Sequence, residues 1–308
     1  MARYAAIDVG TNTVLLLVAE ETPSGFRPVA ERGAITRLGK GVDATRRLAP
    51  EAMERTLASL SAFAAEARAL GAEGLAVSAT SAARDAHNGA EFLAAARQRA
   101  GVEVEILSGE EEARLTYLAV SNDFALEAGS RELVAIDIGG GSTEFIFGTG
   151  ATVRFHTSID IGSVRLTERC VHSDPPSAED FARLHRELDS TLASVPSPGP
   201  NALVVGVAGT VTTLYAVANA IVPYQAARVH GGWLSREALE QTRARLASEP
   251  LAARRQMPGL QPERADVIVA GAVLLERALD HLGAAGARVS DRGLRWGLLA
   301  ARFGGARG

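Results

Sequence analysis

Residues 133–148 read LVAIDIGGGSTEFIFG: an apolar run ends at Asp137, small residues follow, and Glu144 opens a second apolar run. A glycine run lets the backbone turn tightly and aim several N–H groups into one concavity, as proteins do when they hold phosphate oxygens. Here Gly139, Gly140 and Gly141 supply the turn, and Ser142 and Thr143 add hydroxyl donors. Asp137 and Glu144 are hard oxygen ligands of the kind that hold Mg²⁺ beside a phosphate. The loop lacks the Gly-Lys-Ser/Thr ending of a P-loop. The following EFIFG alternates like a strand where a dinucleotide fold needs a helix. Taken alone, it is equally readable as a glycine-rich hairpin.

The same pattern occurs near the N-terminus. RYAAIDVGTNTVLLLVA, residues 3–19, reads as strand, loop and strand, with Asp8-Val9-Gly10-Thr11-Asn12-Thr13 of the same form as Asp137-Ile138-Gly139-Gly140-Gly141-Ser142-Thr143. An internal repeat of such long period predicts two related domains, and it favours the phosphate reading of both loops. Helical and strand-like stretches alternate between the copies, which predicts an α/β class. PEAMERTLASLSAFAAEARALG has helix formers throughout, Pro50 near its start and Gly71 after its end. The polar, turn-prone stretch 122–132 marks the expected boundary, giving domains 1–125 and 126–308, with the last helix able to pack back on the first. The tail GGARG is expected to fray.

Composition narrows the class further. With 308 residues, 47% hydrophobic, the chain can bury two cores, and a net charge of −4 gives no general attraction to nucleic acid or membrane. Lys40 is the only lysine beside 31 arginines. The single cysteine, Cys170, cannot form an internal disulfide and is expected to be a packed thiol. The N-terminus reaches Asp8 too early for a signal peptide, and VIVAGAVLL is too short to span a membrane, so a cytoplasmic protein is expected. The six scattered histidines lack a zinc pattern.

Three other stretches offer candidate groups. Glu110, Glu111 and Glu112 form an acidic run at the start of an expected helix, where the dipole and a Ser108–Glu111 capping box would favour acids in any case. Successive helical residues are turned by about 100°, so the three carboxylates cannot share one surface. Gly209-Thr210 begins an expected helix after a strand and could receive an anion. Arg84 and Arg165 follow small-residue stretches and could reach phosphate.

In order along the chain, AAIDVGTNTVLLLV, SATSAARDAHN, ILSGEEEARLTYLAV, AIDIGGGSTEFIFG, DIGSVRLTER and VAGTVTTL resemble the exopolyphosphatase and guanosine pentaphosphate phosphohydrolase (Ppx/GppA) family. ADVIVAGAVLLERAL and SDRGLRWGLL extend the resemblance over essentially the whole chain. It implies two RNase H-like α/β domains of the actin-like ATPase (sugar kinase/actin) superfamily with an interdomain cleft. It further implies that Glu112 activates the attacking water and that Asp8, Asp137 and Glu144 position Mg²⁺ or another divalent metal. Thr11, Asn12, Thr13, Arg84, Gly139, Gly140, Gly141, Ser142, Gly209 and Thr210 would hold substrate phosphates.

The implied reaction releases terminal orthophosphate from inorganic polyphosphate. The nearest rival substrate is guanosine pentaphosphate. A superfamily kinase, or a non-catalytic sensor of polyphosphate or guanosine tetraphosphate, would use the same loops. A homodimer is expected, and no nucleic-acid or membrane partner. The chain resembles the short form of the family, without the helical domain that continues longer relatives. Trp296 and Lys40 stand where relatives often carry acids.

Overall fold

The computed structural model describes residues 1–23 and 25–305, so the last three residues of the GGARG tail lie outside the described residues. The chain divides into two compact units, one formed by Met1–Ala119 together with the segment from Gly293, the other by Val120–Arg292.

The first unit contains β1 (Arg3–Val9), β2 (Thr13–Thr22), β3 (Gly25–Ile35), α1 (Val42–Thr45), α2 (Pro50–Ala69), β4 (Gly74–Ala79), α3 (Ser81–Asp85), α4 (Gly89–Ala100), β5 (Glu105–Ile106) and the start of α5 (Gly109–Ala128). Its sheet has the order β3-β2-β1-β4-β5, antiparallel through the first three strands and parallel from β1 to β5. Period-two alternation sorts its apolar residues to two faces. Ala5, Ile7, Val9, Leu16 and Val18 pack with Leu57, Leu60 and Phe92 of α2 and α4, while Ala6, Leu17 and Ala19 pack with Leu115 and Leu299. Pro50 occupies the first turn of α2, where its missing N–H costs nothing, and Gly71 follows the helix at φ 78°.

The second unit contains β6 (Leu133–Ile138), β7 (Thr143–Thr149), β8 (Thr152–Ile159), α6 (Ser163–Cys170), α7 (Ala178–Leu192), β9 (Leu203–Val207), α8 (Ala208–Ala218), α9 (Ala226–Val229), β10 (Trp233–Ser235), α10 (Arg236–Ser248), α11 (Leu251–Arg254), α12 (Ile268–His281) and β11 (Gly286–Val289). The final helix, α13 (Leu294–Phe303), belongs to the first unit. The second sheet runs β8-β7-β6-β9-β11-β10. Its first five strands repeat the first sheet's topology: an antiparallel meander of three, then two strands parallel to the first. This duplicated order agrees with the two RNase H-like α/β domains that the resemblance implies.

Two local readings change. Residues 122–128 are helical, not a turn, because α5 continues through them with Phe124 and Ala128 buried. Strand β7 is buried on both faces from Thr143 to Gly148, so its alternation does not mark a solvated side. Cys170 is buried, and that burial pushes its thiol pKa up, which suits a packed, unreactive thiol.

Candidate active site

Each unit gathers its candidate residues at the end of its sheet where β1, or its counterpart β6, runs into the first loop. The two loops correspond residue by residue. In the first, Val9 pairs with Val14 and Asp8 with Leu15; in the second, Ile138 pairs with Thr143 and Asp137 with Glu144. Gly10 N–H donates to the Thr13 carbonyl at 3.0 Å, and Gly139 N–H to the Ser142 carbonyl at 3.1 Å. Gly10 therefore corresponds to Gly139, Thr11 to Gly140, Asn12 to Gly141, Thr13 to Ser142, and Leu15 to Glu144.

In the second unit the glycine loop is braced from behind. The backbone N–H of Ser163 donates to the Gly139 carbonyl, and those of Val164 and Arg165 to the Gly140 carbonyl, at 2.9–3.1 Å. Gly162 makes this approach possible, since a Cβ there would lie 2.5 Å from the Gly140 carbonyl carbon and oxygen. With these carbonyls engaged, no backbone hydrogen bond among the described residues uses the N–H of Gly140 or Gly141. Those donors are the ones a phosphate cradle requires. Thr143 Oγ1 donates instead to the Ile161 carbonyl at 2.6 Å, fixing the loop's exit.

Asp137 on β6 and Glu144 on β7 are direct cross-strand partners, and Glu144 is in turn paired with Ser158 on β8. Ser158 Oγ donates to Glu144 Oε1 at 2.8 Å. Two carboxylates directly opposite on one face repel, and a cation offsets that repulsion. The pair fits the one or two carboxylates by which Mg²⁺ is commonly held. Among the described residues no cluster of three His, Cys, Asp or Glu has metal-holding geometry.

Gly209 and Thr210 lie close by, because β9 runs beside β6, Asp137 pairs with Val207, and α8 begins at the next residue. Ala208 adopts a left-handed φ of 67° at this turn. A Cβ at Gly209 would fall 2.2 Å from Arg264 Nη1, so the guanidinium lies directly on that glycine. Thr210 is buried, with its methyl against Gly271 of α12, which also meets Ser163. Arg165 is buried, and its Nη1 donates to the Asp160 carbonyl at 3.3 Å.

In the first unit, Asp8 is the next-to-last residue of β1 and lies between Leu15 and Ser78. Thr11 Oγ1 and Ser81 Oγ, at the start of α3, lie 2.8 Å apart. Asn12 is buried, its carbonyl accepts the N–H groups of Thr36 and Arg37, and its Nδ2 has no hydrogen-bond partner among the described residues. Thr13 opens β2. Arg84 Nη1 donates both to Glu112 Oε2 at 2.6 Å and to the Leu107 carbonyl at 2.8 Å. Of the acidic run, Glu110 is exposed, Glu111 partly so, and Glu112 only 7% exposed. The helical turn thus presents one of the three carboxylates to Arg84, while Glu111 N–H is capped by Ser108 Oγ.

Sequence reasoning missed Ser158 and Gly162. Gly162 stands in plain view in DIGSVRLTER, but its partner lies 22 residues away in sequence, and only tertiary packing reveals the contact. Ser158 becomes visible only through the register of β8 against β7.

A family model of the Ppx/GppA phosphatase family matches residues 17–303. Exopolyphosphatase 2 of Mycobacterium tuberculosis is 39% identical over 295 residues, covering 92% of this chain and 91% of that protein. Exopolyphosphatase 1 of Mycobacterium bovis is 32% identical over 96% of this chain and 87% of its own length. The crystal structure of the Aquifex aeolicus member of the Ppx/GppA family is 34% identical, with a TM-score of 0.81 over 97% of both chains. The chain belongs to the Ppx/GppA phosphatase family and is a phosphoanhydride hydrolase.

Proposed function

We propose that the protein is an exopolyphosphatase that hydrolyses the terminal phosphoanhydride bond of inorganic polyphosphate with Mg²⁺. The observation that carries this reading is the 39% identity to a named exopolyphosphatase across nearly all of both chains. The buried, arginine-tethered Glu112 and the Asp137–Glu144 pair supply groups suited to that reaction.

Asp137 and Glu144 would hold the metal, with Asp8 at the matching position of the other loop. When bound, the metal neutralises negative charge on the phosphates. The N–H groups of Gly140 and Gly141, with the Ser142 hydroxyl, would bind phosphate oxygens, and Thr11, Asn12 and Thr13 are the phosphate-binding candidates of the first loop. Glu112 Oε1 or Oε2 would take the proton from the attacking water as its oxygen forms a bond to the terminal phosphorus and the bridging P–O bond breaks. Arg84 would hold the Glu112 carboxylate in one orientation. Gly209 and Thr210 would contribute the α8 N-terminus to the same anion.

The test is orthophosphate release with Mg²⁺ from short polyphosphate, long polyphosphate, guanosine pentaphosphate and ATP, with Glu112→Gln as the blank. Preferential release from polyphosphate is expected. Preference for guanosine pentaphosphate would replace this substrate assignment, and binding without release from any of the four would overturn the hydrolytic reading.

A further inference from the structure

Residues 37–47, RLGKGVDATRR, wrap the first loop and carry four cations against the single acid Asp43, in a chain whose net charge is −4. The segment is anchored at both ends. The N–H groups of Thr36 and Arg37 donate to the Asn12 carbonyl at 3.0 Å, and Gly39 N–H donates to the Thr11 carbonyl at 2.8 Å. Gly39 allows this close approach, since a Cβ there would lie 2.3 Å from Thr11 Cγ2. At the other end, His87 N–H donates to the Arg46 carbonyl at 2.9 Å, and the Asn88 side chain both accepts from Leu48 N–H and donates to the Leu48 carbonyl. The segment therefore runs from the loop to the far side of α3, the helix that carries Arg84.

Leu38 and Val42 anchor this path in the core, and most of its basic side chains face solvent. Lys40, Arg46 and Arg47 are exposed, and among the described residues no carboxylate pairs with them. Arg37 and Arg46 adopt left-handed φ values of 55° and 53°. That conformation favours glycine or asparagine over residues with a larger side chain, yet the chain places arginine at both positions. Lys40, Arg46 and Arg47, left without a carboxylate partner among the described residues beside the first loop, attract a polyanion locally, whatever the sign of the net charge.

We propose that this basic ledge is a second phosphate subsite, in which Lys40, Arg46 and Arg47 hold the phosphates behind the one under attack on an inorganic polyphosphate chain. The inference deepens the exopolyphosphatase reading and rests on it. It makes affinity depend on chain length, because a chain of only two or three phosphates ends before it reaches the ledge.

The test is equilibrium binding of long-chain polyphosphate and of tripolyphosphate, in EDTA and at several salt concentrations, to the full chain and to its K40Q/R46Q/R47Q variant. Affinity for the long chain is expected to fall by about tenfold or more, and the slope of log affinity against log salt to shrink by about two. Affinity for tripolyphosphate should change less than twofold. The charge-conserving K40R/R46K/R47K variant should restore long-chain binding, which separates lost charge from lost folding. Equal losses for both ligands, or no loss, would overturn the ledge, as would single-stranded DNA binding as tightly as polyphosphate of equal charge. Orthophosphate release by the unaltered chain, measured in parallel, tests the hydrolase reading separately, because ledge binding in EDTA requires no turnover.

Discussion

Asp137 and Glu144 face one another across neighbouring antiparallel strands, and the Ser158 hydroxyl holds Glu144 from the third strand. Carboxylates on directly opposed residues repel one another, and a bound cation offsets that repulsion. In metal-free protein, Asp137→Asn is expected to leave the melting temperature unchanged or slightly higher, since the relieved repulsion is worth about 0.2–1 kcal/mol. Mg²⁺ at about 100 times its Kd should stabilise the unaltered protein by about 2.7 kcal/mol. The variant should lose most of that gain. Thermal melts with and without Mg²⁺ check both signs, and an undiminished Mg²⁺ shift in Asp137→Asn would remove the carboxylate pair from the metal site.

Glu112→Gln retains an oxygen to accept the Arg84 hydrogen bond, so the fold is expected to persist. Turnover should fall by about 10²- to 10⁴-fold. Wild-type turnover in the folded variant would exclude Glu112 as the general base.

Arg84→Ala differs because it leaves the buried Glu112 carboxylate without its guanidinium and the Leu107 carbonyl without a donor. A stability loss of about 1–3 kcal/mol is expected along with the loss of activity. Urea unfolding of both variants tells the two effects apart: Glu112→Gln should unfold near the wild-type midpoint and Arg84→Ala well below it.

Gly162→Ala places a methyl 2.5 Å from the backbone of Gly140 and must push the glycine loop away. Overpacking of this kind costs about 1–3 kcal/mol. Because the displaced atoms belong to the loop proposed to cradle phosphate, phosphate release should fall more than stability alone accounts for, with KM rising. An unchanged KM would show that the loop does not grip substrate.

Asp180 sets part of the acid sensitivity. Burial pushes its pKa up, but hydrogen bonds from the Ser173 hydroxyl and from the N–H groups of Ser177 and His172 outweigh this and hold the carboxyl well below the usual range. Its folded pKa lies below its unfolded value of about 3.9, so its contribution is complete above that pH and is lost as pH falls towards the folded value. Asp180→Asn should cost about 2–3 kcal/mol at pH 7 and noticeably less at pH 3. Equal costs at both pH values would refute the linkage.

The repeat made the duplicated α/β architecture legible, because an Asp-x-Gly turn between two apolar runs is local information and occurs twice. Helical rotation says only that the three adjacent glutamates cannot share one surface; Glu112 is singled out by the family resemblance, and the structure shows it as the one buried carboxylate among them. The brace of Gly162 on Gly140 was not legible, since it depends on where α6 docks. Nor was the end of α5, where residues 122–128 look turn-prone by composition but gain helix from the burial of Phe124 and Ala128. Trp296 is explained by packing: it lies in the core with Leu115 and Leu299, a place without room for a solvated acid.

The two loops match residue by residue but not in charge. Leu15 occupies the position of Glu144, so the copies share an aspartate but differ in the second acid. The amino-terminal copy has instead the cationic segment that follows it. The two loops are thus alike in backbone and unlike in charge, and Leu15→Glu would give the amino-terminal loop a carboxylate pair of its own.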